Sequence, residues 1–181
     1  GVKLMATHVV IGDPHCTPKA SNERFLWAGR LAADVEATHI ICMGDFCSMD
    51  SLSSYDKKKK SFEGRRYRKD MEHSHQALAL FNKGLGKHKA KKIMLHGNHE
   101  DRIDRFVDEN PELDGTLKIS DLNFKAFGWQ EVPYKSNKVV DGIYYAHHFP
   151  SGILGSAISG ENIARTLLTK HKVSATVGHS H

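Results

Sequence analysis

The chain has 181 residues, 39% hydrophobic and 26% charged, the usage of a globular domain rather than of a disordered or fibrous chain. No apolar run approaches the ~20 residues that cross a bilayer, and the N-terminus lacks the apolar core of a secretory leader, so no membrane partner and a cytoplasmic location are expected. Cys16, Cys42 and Cys47 are odd in number and match no zinc spacing, which points to reduced core thiols, while a formal net charge of +5 suits anionic partners.

Strand and helix signals alternate along one domain expected over residues 5–181, with Met5 as a natural start and residues 1–4 as additions to it. His8-Val9-Val10-Ile11, closed by Gly12, reads as a buried strand that delivers Asp13-Pro14-His15. Ser21-Asn22-Glu23 before Phe25, Leu26, Ala28, Leu31 and Ala32 reads as a capped amphipathic helix. His39 to Met43 is the next strand and runs into Gly44-Asp45. A helix carrying Ala77, Leu78, Leu80 and Phe81 leads through Gly84 and Gly86 to a strand over Lys92 to Leu95, followed by Gly97-Asn98-His99-Glu100. Lys138 to Val140 and Ile143 to Ala146, joined by Asp141-Gly142, read as a tight hairpin that delivers His147. A last helix over Asn162 to Lys170 and a last strand over Val173 to Val177 precede Gly178-His179-Ser180-His181. Each histidine- or aspartate-bearing segment thus follows a strand, where open α/β sheets place their ligand crevice.

The residue types carry the chemistry. Carboxylates, imidazoles and one amide, without a thiolate, suit a hydrolytic pair of divalent ions better than a structural zinc site. In extended backbone, residues two apart face the same way, so Asp13 and His15 can address one ion, as can His179 and His181; Pro14 stiffens the first pair. Adjacent Asn98 and His99 then diverge, which gives Asn98 to metal and leaves His99 free for catalysis as a proton donor near neutral pH.

In this order the segments resemble the motifs of the calcineurin-like metallophosphoesterase family: D-x-H, GD-x-x-D, GNH-D/E, a lone His and GH-x-H, spread over residues 8–181. The resemblance implies a four-layer αββα sandwich. It implies one ion held by Asp13, His15, Asp45 and His181, another by Asp45, Asn98, His147 and His179, with Asp45 bridging and His99 at the leaving group. Manganese comes first for this N/O set, with iron, zinc, nickel or cobalt also accommodated. The lone histidine is read as His147, with His148 beside the site or exposed. Two departures stand out. Ser48 occupies the place of the aspartate that supports the catalytic histidine, with Asp50 as a replacement not required by spacing. The chain also stops at His181, where family members continue into another strand.

Residues 51–90 exceed what compact members carry there, and include Lys57-Lys58-Lys59-Lys60 and Arg65-Arg66-Tyr67-Arg68-Lys69. Such a run is either a solvated face or a phosphate-tracking surface, with Arg65, Arg66 and Arg68 as contacts and Tyr55, Phe62 and Tyr67 as base-stacking groups. Arg102 is placed to hold a substrate phosphate at a helix start, or to pair with Asp104 or Glu100. His73 and His75, two apart on a helix, are expected at the surface. The expected function is dinuclear metal-dependent hydrolysis of phosphoesters, with nucleic acid as the leading substrate. The alternatives are a phosphomonoesterase acting on a protein or small metabolite, and a metal-poor binding scaffold.

Overall fold

The computed structural model describes residues 5–151, 156–158, 163–171 and 174–179; Ser180 and His181, and with them the last expected ligand, lie outside these. Four parallel strands, β1 (His8–Ile11), β2 (His39–Cys42), β3 (Lys91–Leu95) and β4 (Trp129–Val132), pair in sequence order in one sheet. The antiparallel hairpin of β5 (Asn137–Val140) and β6 (Ile143–Ala146), joined in parallel by β9 (Ala175–Val177), forms a second sheet. A short ribbon pairs β7 (Pro150–Ser151) with β8 (Ser156–Ala157). The expected strands all appear within a residue or two of their predicted bounds.

Alternation along the strands separates two cores. Ile40, Cys42 and Met94 face α1 (Glu23–Asp34) and α2 (Tyr67–Leu85), packing with Phe25, Leu78 and Phe81. Their neighbours Ile41, Met43, Ile93 and Leu95 face the other way and pack with Val132, Val140 and Tyr145, which joins the two sheets. Helices, first sheet and second sheet are therefore stacked as successive layers. Two further helices, α3 (Arg102–Glu109) and α4 (Ile163–His171), complete the described α-helices, and no described helix is long and apolar enough to cross a membrane.

Helices α1 and α2 approach closely through paired glycines. A Cβ on Gly29 would overlap the Phe81 carbonyl oxygen, and one on Gly84 would overlap that of Leu26. The expected side-chain cap on α1 takes a different form: Ser21 Oγ accepts the Glu23 amide at 3.2 Å, while Asn22 Nδ2 donates to the His73 carbonyl at 2.9 Å and so ties α1 to α2. His73 and His75 are half-buried instead of exposed, and His75 packs on Phe127 with Nε2 2.8 Å from the Asp121 carbonyl.

The basic segment folds back on itself. Two 3-10 turns, at Asp50–Leu52 and Lys60–Phe62, precede α2. The Arg65 side chain is only 9% exposed, and its guanidinium donates to the Ser61 and Asp50 carbonyls and to Asp56 Oδ2. Arg65 is thus a loop clamp, not a free phosphate contact. Arg66 and Arg68 are more exposed, with Arg68 paired to Glu72 one turn on at 2.7 Å. Of the three aromatics, Tyr67 donates to Asp121 and Phe62 lies under Arg65, which leaves Tyr55, 81% exposed, available for stacking.

Candidate metal centre

The carboxyl ends of β1, β2, β3, β6 and β9 converge, and each carries one motif. Asp45 is at the middle. Its Oδ1 accepts the His99 amide at 2.9 Å, while Oδ2 lies 3.9 Å from His15 Nε2, 3.9 Å from His99 Nε2 and 3.5 Å from His147 Nε2. Two groups of potential ligands share this carboxylate: His15, Asp45 and His99, and Asp45, His147 and His179. Asn98 joins the second through its Oδ1, 3.0 Å from His147 Nε2. Asp13 is held at the same place, Oδ2 accepting the His179 amide at 2.6 Å and Oδ1 standing 3.8 Å from His147 Nδ1.

Local backbone conformation, not strand alternation, aims several of these groups. His15, Asp45 and His179 have φ of 46°, 49° and 63°, a region that costs non-glycine residues energy and persists where the surroundings enforce it. The extended-backbone account of the Asp13/His15 spacing is therefore replaced by a left-handed kink at His15, and the same holds at His179. The enforcing contacts are backbone bonds between the first two motif loops: His15 N donates to Asp45 O, Cys16 N to Phe46 O and Ser48 N to Cys16 O. Glycine is needed where loops touch. A Cβ on Gly97 would overlap the Asp45 carboxylate, and one on Gly44 would stand 2.7 Å from His147 Nδ1.

Glu100 was anticipated only as a motif letter or an arginine partner, yet it is fully buried and pins two loops together. Its Oε2 accepts the amides of Asp45 at 3.0 Å and Gly97 at 2.8 Å, and its Oε1 accepts that of Cys47 at 3.1 Å. Burial pushes its carboxyl up to about 7, Asp45's charge adds to this, and the N–H donors act in the opposite sense.

His147, read from the sequence as the lone motif histidine, is 2% exposed. Met43 O, 2.8 Å from Nδ1, accepts the hydrogen bond from Nδ1–H and leaves Nε2 aimed at Asp45 and Asn98. His148 is buried too, against Tyr134 and His179, and its Nδ1 has no hydrogen-bond partner among the described residues. Cys16, Cys42 and Cys47 are free and buried, as expected of core thiols.

The support of His99 is a backbone carbonyl: Ser48 O lies 2.7 Å from Nδ1. Asp50 turns away to Thr17 Oγ1 at 3.2 Å. Arg102 donates through Nη1 to the same Ser48 carbonyl and through Nη2 to His99 Nε2, at 2.8 and 3.1 Å; neither Asp104 nor Glu100 is its partner. With Nδ1–H spent on Ser48, Nε2 is an acceptor and His99 is neutral. Burial pushes its pKa down to about 4, with Asp45 and the carbonyl opposing and Arg102 adding.

A hollow of about 260 Å³ opens beside the centre, reached by Asn98, His179, Arg102, Arg105, Tyr55 and Phe106. Arg105, unassigned in the sequence, lies one turn after Arg102 on α3 and donates to Asn98 O at 2.9 Å. Arg65 and Arg66 line a different depression. Comparisons of this chain with protein-family models, with curated proteins and with solved structures find no match.

Glu100→Gln should lower the stability of the metal-free protein by about 1–3 kcal/mol, because an amide offers one acceptor oxygen and sets an NH2 against the converging donors. A carboxyl whose pKa rises on folding from 4.5 to about 7 contributes stability that is lost as pH rises through that window. The difference between parent and variant in urea unfolding should therefore be larger at pH 5 than at pH 8. His99 has the opposite dependence in both proteins and cancels.

Proposed function

We propose that this protein is a dinuclear metal-dependent phosphoester hydrolase of the calcineurin-like type, with the four-layer αββα sandwich that this relationship implies. The observation that carries the reading is the surrounding of Asp45 Oδ2: three imidazole Nε2 atoms from three loops lie at 3.5–3.9 Å. Hydrogen bonds fix two of those rings from behind, through Ser48 O and Met43 O. Asp13, His15, Asp45 and His181 would hold one divalent ion, and Asp45, Asn98, His147 and His179 the other. The donor set fits such ions: nitrogen and oxygen only, with Asp45 and Glu100 buried side by side, an arrangement that is costly unless a cation compensates it. Bound ions would supply Lewis acidity and a nucleophile drawn from water.

The chain's own groups do the rest. Arg102 presents its guanidinium beside His99, where it would stabilise charge on a phosphoryl oxygen. His99 would serve the leaving oxygen, and to donate a proton it must first gain one at Nε2, the atom Arg102 now contacts. A bound phosphate dianion beside the pair would favour that protonation. Asp45 positions His99 through the His99 amide, and the Asn98 carbonyl holds the neighbouring Arg105 guanidinium.

The substrate best suited to the surroundings is a nucleic-acid or nucleotide phosphodiester, with Arg102 and Arg105 on phosphates and Tyr55 and Phe106 offering faces for bases. Lys57 extends this surface, its ammonium 5.2 Å from the Phe106 ring centre. Two observations favour phosphomonoesters instead: at about 260 Å³ the hollow is small for an organic ligand, and Arg65 is already engaged within its loop. A metal-poor scaffold is disfavoured by the strained, glycine-cradled ligand conformations, which a scaffold has no need to maintain.

Asp45→Asn should abolish hydrolysis and weaken retention of both ions, read as metal per protein and as turnover of p-nitrophenyl esters; full turnover at normal metal content rejects the reading. His99→Ala should keep the metal and slow hydrolysis by a factor on the order of 10² to 10⁴. The loss should be greater for alkyl than for p-nitrophenyl leaving groups, and an equal loss would make His99 a positioning group for Arg102. Tyr55→Ala should reduce kcat/KM on a single-stranded oligonucleotide by roughly 5- to 150-fold, the worth of one base stack, and by less on p-nitrophenyl phosphate. Faster turnover of that monoester than of bis(p-nitrophenyl) phosphate, with no oligonucleotide cleavage, moves the assignment to the phosphomonoesterase.

A further inference from the structure

The two sheets meet again at the opposite end of their strands. His8 opens β1 and His39 opens β2, and the parallel register sets them directly side by side, on one face of the sheet, with ring centres 5.1 Å apart. Facing them is Asp141, first residue of the two-residue turn between β5 and β6. There, φ of 48° at Asp141 and 82° at Gly142 match the mirror-image turn that tight hairpins use. Asp141 Oδ2 lies 2.8 Å from His8 Nε2 and 3.7 Å from His39 Nδ1, and one ligand atom from each residue falls within 4.8 Å of the others.

We propose that His8, His39 and Asp141 form a separate mononuclear site for a zinc-class divalent cation, clipping the first sheet to the second. Bonds of about 2.0–2.1 Å in a tetrahedral site put neighbouring ligand atoms about 3.3 Å apart. The two contacts of Asp141 fall on either side of that figure and the remaining separation is within 4.8 Å, so side-chain adjustment would be needed to close the present arrangement into a coordination sphere.

The surroundings already orient the donors. The Tyr145 hydroxyl, 2.7 Å from His8 Nδ1, can accept that nitrogen's proton and leave the Nε2 lone pair inward, the outer support usual for a ligating imidazole. Thr38 Oγ1 lies 3.1 Å from His39 Nδ1 and donates its own proton to Thr7 O at 3.0 Å, so in the metal-free chain Nδ1–H donates to Thr38 Oγ1, and a cation must displace that proton to bind Nδ1. Burial, with His8 beside it, holds His39 toward its neutral form. Lys91, paired with His39 in the β2–β3 ladder, is the nearby positive charge that the Asp141 carboxylate must outweigh. Asp141 is 52% exposed, and a groove past Met5, Ala6 and Val10 gives access, which leaves a fourth position for water. No residue is shared with the centre around Asp45, and the two sites stand or fall separately.

The test is zinc stoichiometry of the full chain, stripped with chelator, reloaded with zinc chloride, desalted and measured by mass spectrometry. His39→Ala and Asp141→Asn should each retain one zinc fewer than the parent while keeping its circular dichroism. Asp45→Asn should retain this ion whatever happens to the others. Equal zinc in the parent and both variants overturns the proposal and leaves His8 and Asp141 as a hydrogen-bonded pair. Where a variant does not fold, zinc-edge anomalous diffraction from the parent decides: a peak about 2.0–2.2 Å from His8 Nε2 and an Asp141 oxygen is expected, and no peak there at saturating zinc overturns the site.

Discussion

The arrangement at the strand ends depends on one buried carboxylate. Asp45 sits in a left-handed conformation at the end of β2, takes the His99 amide on one oxygen and turns the other toward three imidazoles. Beneath it, Glu100 accepts three backbone amides from the loops on either side. Two adjacent buried carboxylates repel, and the hydrogen bonds that satisfy their oxygens do not remove that repulsion. The fold keeps them together by fixing the loops with backbone bonds and glycine contacts, and the proposed cations would offset that repulsion.

The sheet pair makes that possible. Because alternate residues of β2 and β3 face helices on one side and the second sheet on the other, both strands are buried on both faces and end at fixed heights. Imidazole and carboxylate groups that follow β1, β2 and β3 then meet those that follow β6 and β9 at one end of the sheet-to-sheet core. The far end of the same core brings His8, His39, Asp141 and Tyr145 together. Both poles of the sandwich therefore carry clustered imidazole and carboxylate groups, while the strand interiors are apolar.

Much of this was legible in the sequence because strands and motifs are contiguous. Short β-branched runs ending in glycine located β1, β2 and β3, and Asp141-Gly142 located the hairpin turn. Strand β4 was missed since Trp129-Gln130-Glu131-Val132 shows little apolar alternation and lies at the sheet edge. Which residues cluster was readable; how they are aimed was not. A left-handed φ at His15, Asp45 or His179 is imposed by neighbouring loops, a tertiary effect that local spacing does not encode. The same applies to His99, whose support is the Ser48 main chain and not a side chain, and to Arg65, whose place in a basic run concealed its role as a clamp. Glu100 had a signal in its position directly after His99, but its three amide partners lie in loops that only folding brings near.

The proposed centre requires Asp45 to bridge two ions, and manganese-edge anomalous diffraction from crystals of the full chain grown with manganese tests this most directly. Two peaks are expected, both within about 2.0–2.4 Å of an Asp45 oxygen, one beside His15 and the other between Asn98 and His147. A single peak that does not touch Asp45, or no peak among these side chains at saturating manganese, would contradict it.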